Sequence, residues 1–427
     1  MARRWSRVQI PPEALNQKYK SAYSGYYTQW TMKQRLDIHN FDERLHDAER
    51  KIDAQNPISA RNAELIKEFE QCCFSEGLGK ARIVKYLQSL KKLAEWFKKD
   101  FDKAEKADVE RVVNLLERSE YSAWTKHDYK VALKRFYLWL GGGEDYPPQV
   151  KWIKTTFKEK DAILPDQLLT EEEVMKVVEA SDSLRDKAFI MTLYESGARI
   201  GELGSLKISD VVFEEGYTAL MLRGKTGSRR IVVVAATPHL QAWIQNHPLR
   251  AKPEAPLWIN MGTVNRYEAM SYPALAKTLK VAAKKAGIKK RITPHKFRHS
   301  RATFLAGKLT EAQMNQIFGW KQGSEMPSIY VHLSGRDVDD AILGVYGLKK
   351  KTEEKPKLTP RICPRCKATN AYDARFCMKC GLALDVKAAF EMEEARTTAD
   401  NIMNILMKDE EFRKMLAKKL REYKIST

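Results

Sequence analysis

The chain is sparing with the features that would place it in several common classes. Only six of its 427 residues are cysteine, and four of those fall between positions 363 and 380. The other two, Cys72 and Cys73, are adjacent in a helix-patterned stretch and read as small buried apolar side chains, so nothing suggests a disulfide framework. No stretch approaches the roughly 18 apolar residues that a membrane-spanning helix requires. The opening Met1-Ala2-Arg3-Arg4-Trp5-Ser6-Arg7 is basic but has no apolar core behind it, so no secretion signal is expected. Glycine is absent where a nucleotide-binding loop would need it: Gly224-Lys225-Thr226-Gly227 lacks the long glycine-rich spacing of a nucleoside-triphosphate site. Acidic residues are also short, 55 against 75 Lys and Arg, which leaves a net charge of +20 and a pI near 9.5. That excess implies a polyanionic partner and salt-sensitive binding, although charge alone suits RNA-binding or ribosomal proteins equally well. A soluble, cytoplasmic, nucleoid-associated protein with no membrane partner is expected. Its length allows two or three domains.

Five residues spread over a third of the chain form one chemical kit: Arg199, Lys225, His295 with Arg298, and Tyr330. A tyrosine cannot break a phosphodiester unaided, because phenol titrates near ~10 and is a poor nucleophile when neutral. Attack also builds negative charge on two non-bridging oxygens, which fixed cations can offset. Two arginines can clamp those oxygens with planar, permanently charged forks. A lysine can protonate the leaving alkoxide, and a histidine can accept or share the tyrosine proton.

Local patterning places the kit. Thr293-Pro294 is a good helix start, a capping hydroxyl followed by proline at the first helical position. His295 and Arg298 then stand three apart on one face of the first turn, where the helix N-terminus favours an anion. Arg199 falls in an apolar, helix-like stretch from about Ala188 to Leu206, with Glu202 one turn on. Lys225 occupies a turn ahead of the β-branched run Ile231 to Val234, which predicts a β-hairpin loop. His299 is the alternative to His295, and Tyr346 competes with Tyr330.

These contexts resemble the tyrosine recombinase (phage integrase) family. Tyr194-Glu195-Ser196-Gly197-Ala198-Arg199-Ile200-Gly201-Glu202-Leu203 is similar to the box around its first arginine, and Arg223-Gly224-Lys225-Thr226-Gly227 to its hairpin lysine. Thr293-Pro294-His295-Lys296-Phe297-Arg298-His299-Ser300 resembles the second box; Ile317-Phe318-Gly319-Trp320 and then Tyr330 resemble the end of the site. The resemblance implies Tyr330 as nucleophile and Glu202 as a buttress for Arg199. Trp320 stands where the family most often has histidine; an indole N–H can donate to a phosphate oxygen but cannot titrate. The implied reaction uses no ATP and no catalytic metal, and the implied partner is double-stranded DNA carrying a specific recombination site, bound by a homo-tetramer.

Beyond this region, Cys363-Pro364-Arg365-Cys366 and Cys377-Met378-Lys379-Cys380 make paired CxxC knuckles ten residues apart. Four thiolates at this spacing suit tetrahedral Zn²⁺, and so short a segment could not bury enough core to fold without it. A structural zinc ribbon is expected; two disulfides are the competing reading.

The expected architecture is multi-domain and mainly α, with a helical core-binding domain, a mixed α/β catalytic domain containing a small antiparallel sheet, and the zinc ribbon. Residues 1–58 read as a basic, aromatic arm containing Tyr19, Tyr23, Tyr26, Tyr27 and Trp30. Residues 59–143 carry helical periodicity in four segments, ending at Gly141-Gly142-Gly143, and resemble the family's core-binding domain. There Lys80, Arg82, Lys85, Lys126, Lys130 and Lys134 are candidate phosphate contacts. A linker over 144–168 leads to the catalytic domain, 169–348, whose sheet is expected around 212–235 and whose end, from Ser334 through Leu343, reads as a further helix. A second linker spans 349–360, the ribbon 361–385, and a helical tail 386–427. The tail's apolar positions, among them Ile402, Ile405, Leu406 and Met415, suit packing on the ribbon or self-association.

The expectation is therefore a site-specific recombinase, most simply one that integrates or excises an archaeal mobile element. Two rivals use the same residues or surfaces: relaxation of supercoils in the manner of a type IB topoisomerase, and a DNA-binding regulator working through the zinc ribbon.

Overall fold

The structure is a computed structural model in which residues 36–156, 165–224, 227–333, 346 and 356–422 are described. The basic, aromatic stretch up to residue 35, Lys225 and the segment from Ser334 to Leu343 lie outside them.

Five helices make the first core: α1 (Phe41–Asp53), α2 (Ala60–Ser75), α3 (Lys80–Phe97), α4 (Lys106–Arg118) and α5 (Ala123–Leu140). Their apolar residues recur at helical spacing and meet around Ile66, Phe69, Leu90, Phe97, Phe101 and Phe136, all at most 1% exposed. Sequence periodicity shows four of these helices. The fifth, α1, falls in the stretch expected to be an arm, yet Leu45, Ala48 and Ile52 pack into the same core. It is easily overlooked because only four apolar side chains, Phe41 and these three, stand among nine other residues, eight of them charged. The short helix α6 (Pro148–Lys151) likewise contributes Val150 from within the expected linker.

The second core centres on α8 (Leu184–Ser196), buried on nearly all sides from Ala188 to Tyr194. Around it pack α7 (Glu171–Glu179), α10 (Thr237–Gln245) and α12 (Pro294–Ala306), with α11 (Tyr272–Lys285) lying on α7. A three-stranded antiparallel meander, β1 (Val211–Glu214), β2 (Tyr217–Gly224) and β3 (Gly227–Val233), lies beside them where the β-branched run predicts it. The β2–β3 register ends on the pair Gly224↔Gly227. A small satellite core from α12, α13 (Glu311–Phe318) and α14 (Met326–Leu333) unites Ala302, Ala306, Met314, Phe318 and Tyr330.

The helical reading around Arg199 needs correction. Gly197 adopts φ 56°, which ends α8, and Arg199 is extended (φ −67°, ψ 140°) at the start of the short helix α9 (Ile200–Gly204). The left-handed step aims the arginine out of the apolar helix instead of burying it along the helix.

At the far end, β4 (Arg361–Ile362) and β5 (Thr369–Asn370) pair in a ribbon followed by α15 (Val386–Leu406) and α16 (Glu410–Glu422). The ribbon does not float: Tyr372 and Leu358 are buried in the second core, and the Tyr372 hydroxyl donates to the Met175 carbonyl at 3.4 Å. Among the described residues of the tail only Ala388 is buried; Ile402, Ile405, Leu406 and Met415 are exposed. No helix among the described residues is long and apolar enough to cross a membrane.

Candidate active site

Thr293 caps α12 through the Lys296 amide at 3.3 Å, and Pro294 opens the helix. Arg298, one turn in, is 5% exposed. Its guanidinium donates to the Gly197 carbonyl at 2.8 Å and the Phe318 carbonyl at 2.6 Å, while lying 5.0 Å over the Phe318 ring and 5.5 Å over Trp320. Burial, then the neighbouring Arg199 charge, pull it down to about 10, so it stays a cation at neutral pH.

Arg199 reaches the same place from the α8–α9 turn. Glu202, 2% exposed, accepts from the Arg199 backbone N–H at 3.1 Å and from its Nη1 at 3.0 Å. Arg199 Nη2 approaches the Gly319 carbonyl at 3.4 Å. The other oxygen contact of Glu202 is Arg229 from β3, at 2.7 Å. Burial alone would raise the Glu202 carboxyl, but Arg229 and Arg199 hold it below the usual carboxylate range. The sequence singles out Glu202 as Arg199's buttress; Arg229 it does not single out. The signal was present, since Arg229 lies two and four residues before the buried Ile231 and Val233 and so shares their inward face.

Tyr330 on α14 is 1% exposed, whereas Tyr346 is 74% exposed. The Tyr330 ring stacks on Trp320 with centroids 5.4 Å apart and planes 7° from parallel, and Trp320 stacks in turn on Phe318. Its hydroxyl lies 2.6 Å from His299 Nδ1. Burial, offset in part by Arg298, raises the phenol to about 12. His299 is pushed down to about 4 by burial, then by His295 and Arg298, so its neutral ring can accept the phenolic proton. The histidine beside the tyrosine is thus His299 and not His295. His295 stands at the rim with its side chain open to solvent, its ring 6.2 Å from that of His299. Its crowded surroundings and the charges of Arg298 and Arg199 nevertheless keep its pKa below the ordinary imidazole value. Trp320 presents its face to the tyrosine. Lys225, expected at the hairpin tip between Gly224 and Gly227, lies outside the described residues.

Residues 167–336 match the profile of the phage integrase family. Tyrosine recombinase XerA of Pyrococcus horikoshii is 28% identical over 285 residues, 66% of this chain and 93% of XerA. Tyrosine recombinase XerD of Listeria monocytogenes is 29% identical over 241 residues, 54% of this chain and 78% of that protein. Residues 167–336 thus form a region of the phage integrase type. In solved structures the chain's fold is similar to XerH recombinase bound to palindromic difH substrate (TM-score 0.51, 20% identity, 73% of this chain and 99% of that one). It is also similar to a lambda integrase dimer bound to a COC′ core site (TM-score 0.51, 16% identity, 64% and 78%).

Two further features of the chain bear on function. Of the six basic residues expected to meet phosphate on the helical domain, five are engaged within the protein. Lys80 pairs with Asp42, Lys85 with Asp128 and Lys130 with Glu117; Lys126 and Lys134 donate to the carbonyls of Glu117 and Ile153. Most of these contacts are solvent-exposed and weak, so they can be exchanged for phosphates.

The four ribbon cysteines converge, with all Sγ atoms within 4.8 Å of one another. Cys363 and Cys380 are 3.7 Å apart and Cys366 and Cys377 3.5 Å. Such separations are near the ~3.8 Å edge of a tetrahedron with ~2.3 Å Zn–S bonds and far from a ~2.05 Å disulfide. Asn370, 1% exposed, supports the cluster: its Nδ2 faces Cys377 Sγ at 3.8 Å and its Oδ1 accepts from the Met378 amide at 2.8 Å. The donor set fits structural zinc.

Proposed function

We propose that this chain is a tyrosine site-specific recombinase that cleaves and rejoins duplex DNA through a 3′-phosphotyrosyl intermediate. The observation that carries the reading is Tyr330 itself: a buried phenol with its hydroxyl 2.6 Å from a neutral histidine, on the element adjoining two clustered arginines. Tyr330 Oη attacks the scissile phosphorus and His299 Nδ1 takes its proton. The bond from phosphorus to the 5′-oxygen breaks, and Lys225 gives that oxygen its proton, leaving a free 5′-hydroxyl. Arg199 and Arg298 turn their forks from backbone carbonyls to the non-bridging oxygens, where charge develops. Trp320 walls the nucleophile from water, and its N–H with His295 at the rim serves the same phosphate. The covalent link conserves the bond energy, so a 5′-hydroxyl from a partner strand reseals without ATP. No step is assigned to a metal. Zinc on Cys363, Cys366, Cys377 and Cys380 would supply only a cross-link that holds the ribbon together.

The similarity to proteins named tyrosine recombinases supports recombination of DNA; assembly as a tetramer on two specific DNA sites, and integration or excision of a mobile element, are the further roles proposed here. The test is a covalent trap: full-length protein is incubated in EDTA-free and EDTA-containing buffer with a random pool of nicked duplexes, run on denaturing gels, and the attached strands sequenced. An adduct at a defined sequence, lost in Tyr330→Phe but with binding retained, is the expected result. Resealing only to the original strand would favour topoisomerase-like relaxation. Tight binding of the pool without any adduct would contradict the recombinase reading in favour of a DNA-binding regulator.

A further inference from the structure

Three guanidinium groups, not two, gather at the C-terminal end of α13. Arg229 Nε donates to the carbonyl of Ile317 at 2.9 Å, Arg298 Nη2 to that of Phe318 at 2.6 Å, and Arg199 Nη2 to that of Gly319 at 3.4 Å. These are consecutive carbonyls at a helix terminus, released from intrahelical bonding by Gly319 at φ 59°. The negative end of the helix dipole and the Glu202 carboxylate together offset the three positive charges.

Arg229 differs from the other two. Its side chain is only 10% exposed, and it spends two of its three nitrogens on Glu202 Oε2 and Ile317. The third, Nη1, is buried with no partner, a costly state for a cation and one a fold would not keep for stability alone. We propose that Arg229 is a positioning residue for phosphate binding. By fixing the carboxylate that holds Arg199 and the helix end that holds all three arginines, it sets the geometry of Arg199 and Arg298. It also ties that geometry to β3, the strand that follows Lys225. Strand β3 and the arginine clamp are thus joined through one side chain.

This inference rests on the recombinase reading, and its test is designed so that the two can fail separately. Arg229→Met and Arg229→Lys, in the full-length chain, are compared on a nicked duplex recovered from the random pool with the wild-type protein. Two versions of the duplex are used, one with a normal scissile phosphate and one with an uncharged methylphosphonate. On phosphate, Arg229→Met should lose covalent capture by about 100-fold, the usual cost of a roughly 1 Å misplacement in a reacting assembly. Arg229→Lys, which keeps the charge but not the fork, should recover only part of it. On methylphosphonate there is no anionic charge for Arg199 to neutralise, so the defect should shrink to less than about tenfold. DNA binding in a Tyr330→Phe background should stay close to that of the parent. An equal defect on both linkages would show that Arg229 merely supports the fold, and full capture by Arg229→Met would equally overturn the proposal. Failure of the wild-type chain to form any adduct would instead remove the recombinase reading, and this inference with it.

Discussion

Gly224 faces Glu202 so closely that a single methyl group should disturb the arginine cluster. An ideal Cβ built on Gly224 would lie 2.2 Å from Glu202 Oε1 and 3.0 Å from its Cδ. Alanine suits an extended strand, and relieving glycine's entropy would by itself favour Gly224→Ala by about 0.5–1 kcal/mol. Overpacking opposes this by about 1–3 kcal/mol, so net destabilisation of about 1 kcal/mol is expected, a few degrees in Tm for a unit of this size. Activity should suffer far more. To regain a tolerable contact the carboxylate must retreat by about 0.8 Å, which stretches its 3.0 Å bond to Arg199. Misplacing the clamp by that amount should reduce covalent capture on a suicide duplex by about 100-fold. Gly262→Ala is the control, since nothing lies within 4 Å of its added Cβ. Thermal melting and single-turnover capture read the two effects. If Gly224→Ala melts and captures as the wild type does, Glu202 does not hold Arg199 in the way described.

Other outcomes follow from the same geometry. Tyr330→Phe should abolish covalent capture while changing DNA affinity by no more than a few-fold, as read by a denaturing gel beside a filter-binding titration. His299→Gln should cut capture by about 10²–10⁴-fold, the usual weight of a general base; His295→Gln, at the rim, should cost less, and the reverse order would assign the base to His295. Because His299 is held near 4 in the fold against 6.5 when unfolded, the folded state binds fewer protons than the unfolded state between those values. Stability should therefore fall as pH drops from about 6.5 towards 4, and His299→Gln should flatten that slope in melts taken across the interval. Chelation of zinc, or Cys377→Ser, should unfold the ribbon and also lower the melting temperature of the catalytic domain, because Tyr372 and Leu358 are buried in its core. A melting temperature indifferent to chelation would show that the ribbon is not a brace.

Much of this site was legible in the sequence because each catalytic candidate sits in a local signal. Thr293-Pro294 marks a helix start, Gly319 a helix stop, and the run Ile231 to Val234 a strand. What was hidden depends on tertiary contacts. Nothing local distinguishes Arg229 from Arg230 except which face of the strand turns inward. That His299, not His295, meets the tyrosine follows from how α14 crosses α12, a packing relation between residues 31 apart. Helix α1 leaves little trace in the sequence because it buries only three residues, Leu45, Ala48 and Ile52. The interruption at Gly197 was masked by the apolar residues on either side, which continue the helical pattern across a break that only a positive φ reveals.

The central claim, that Tyr330 is the nucleophile, is tested most directly by mapping the covalent adduct. Full-length protein trapped on a nicked duplex is digested with trypsin and nuclease, and the modified peptide is sequenced by mass spectrometry. The account predicts a single nucleotide-bearing peptide with the modification on Tyr330, joined through the 3′-phosphate, and a free 5′-hydroxyl on the released strand. Attachment at Tyr346 or any other residue, or through a 5′-phosphate, would contradict it.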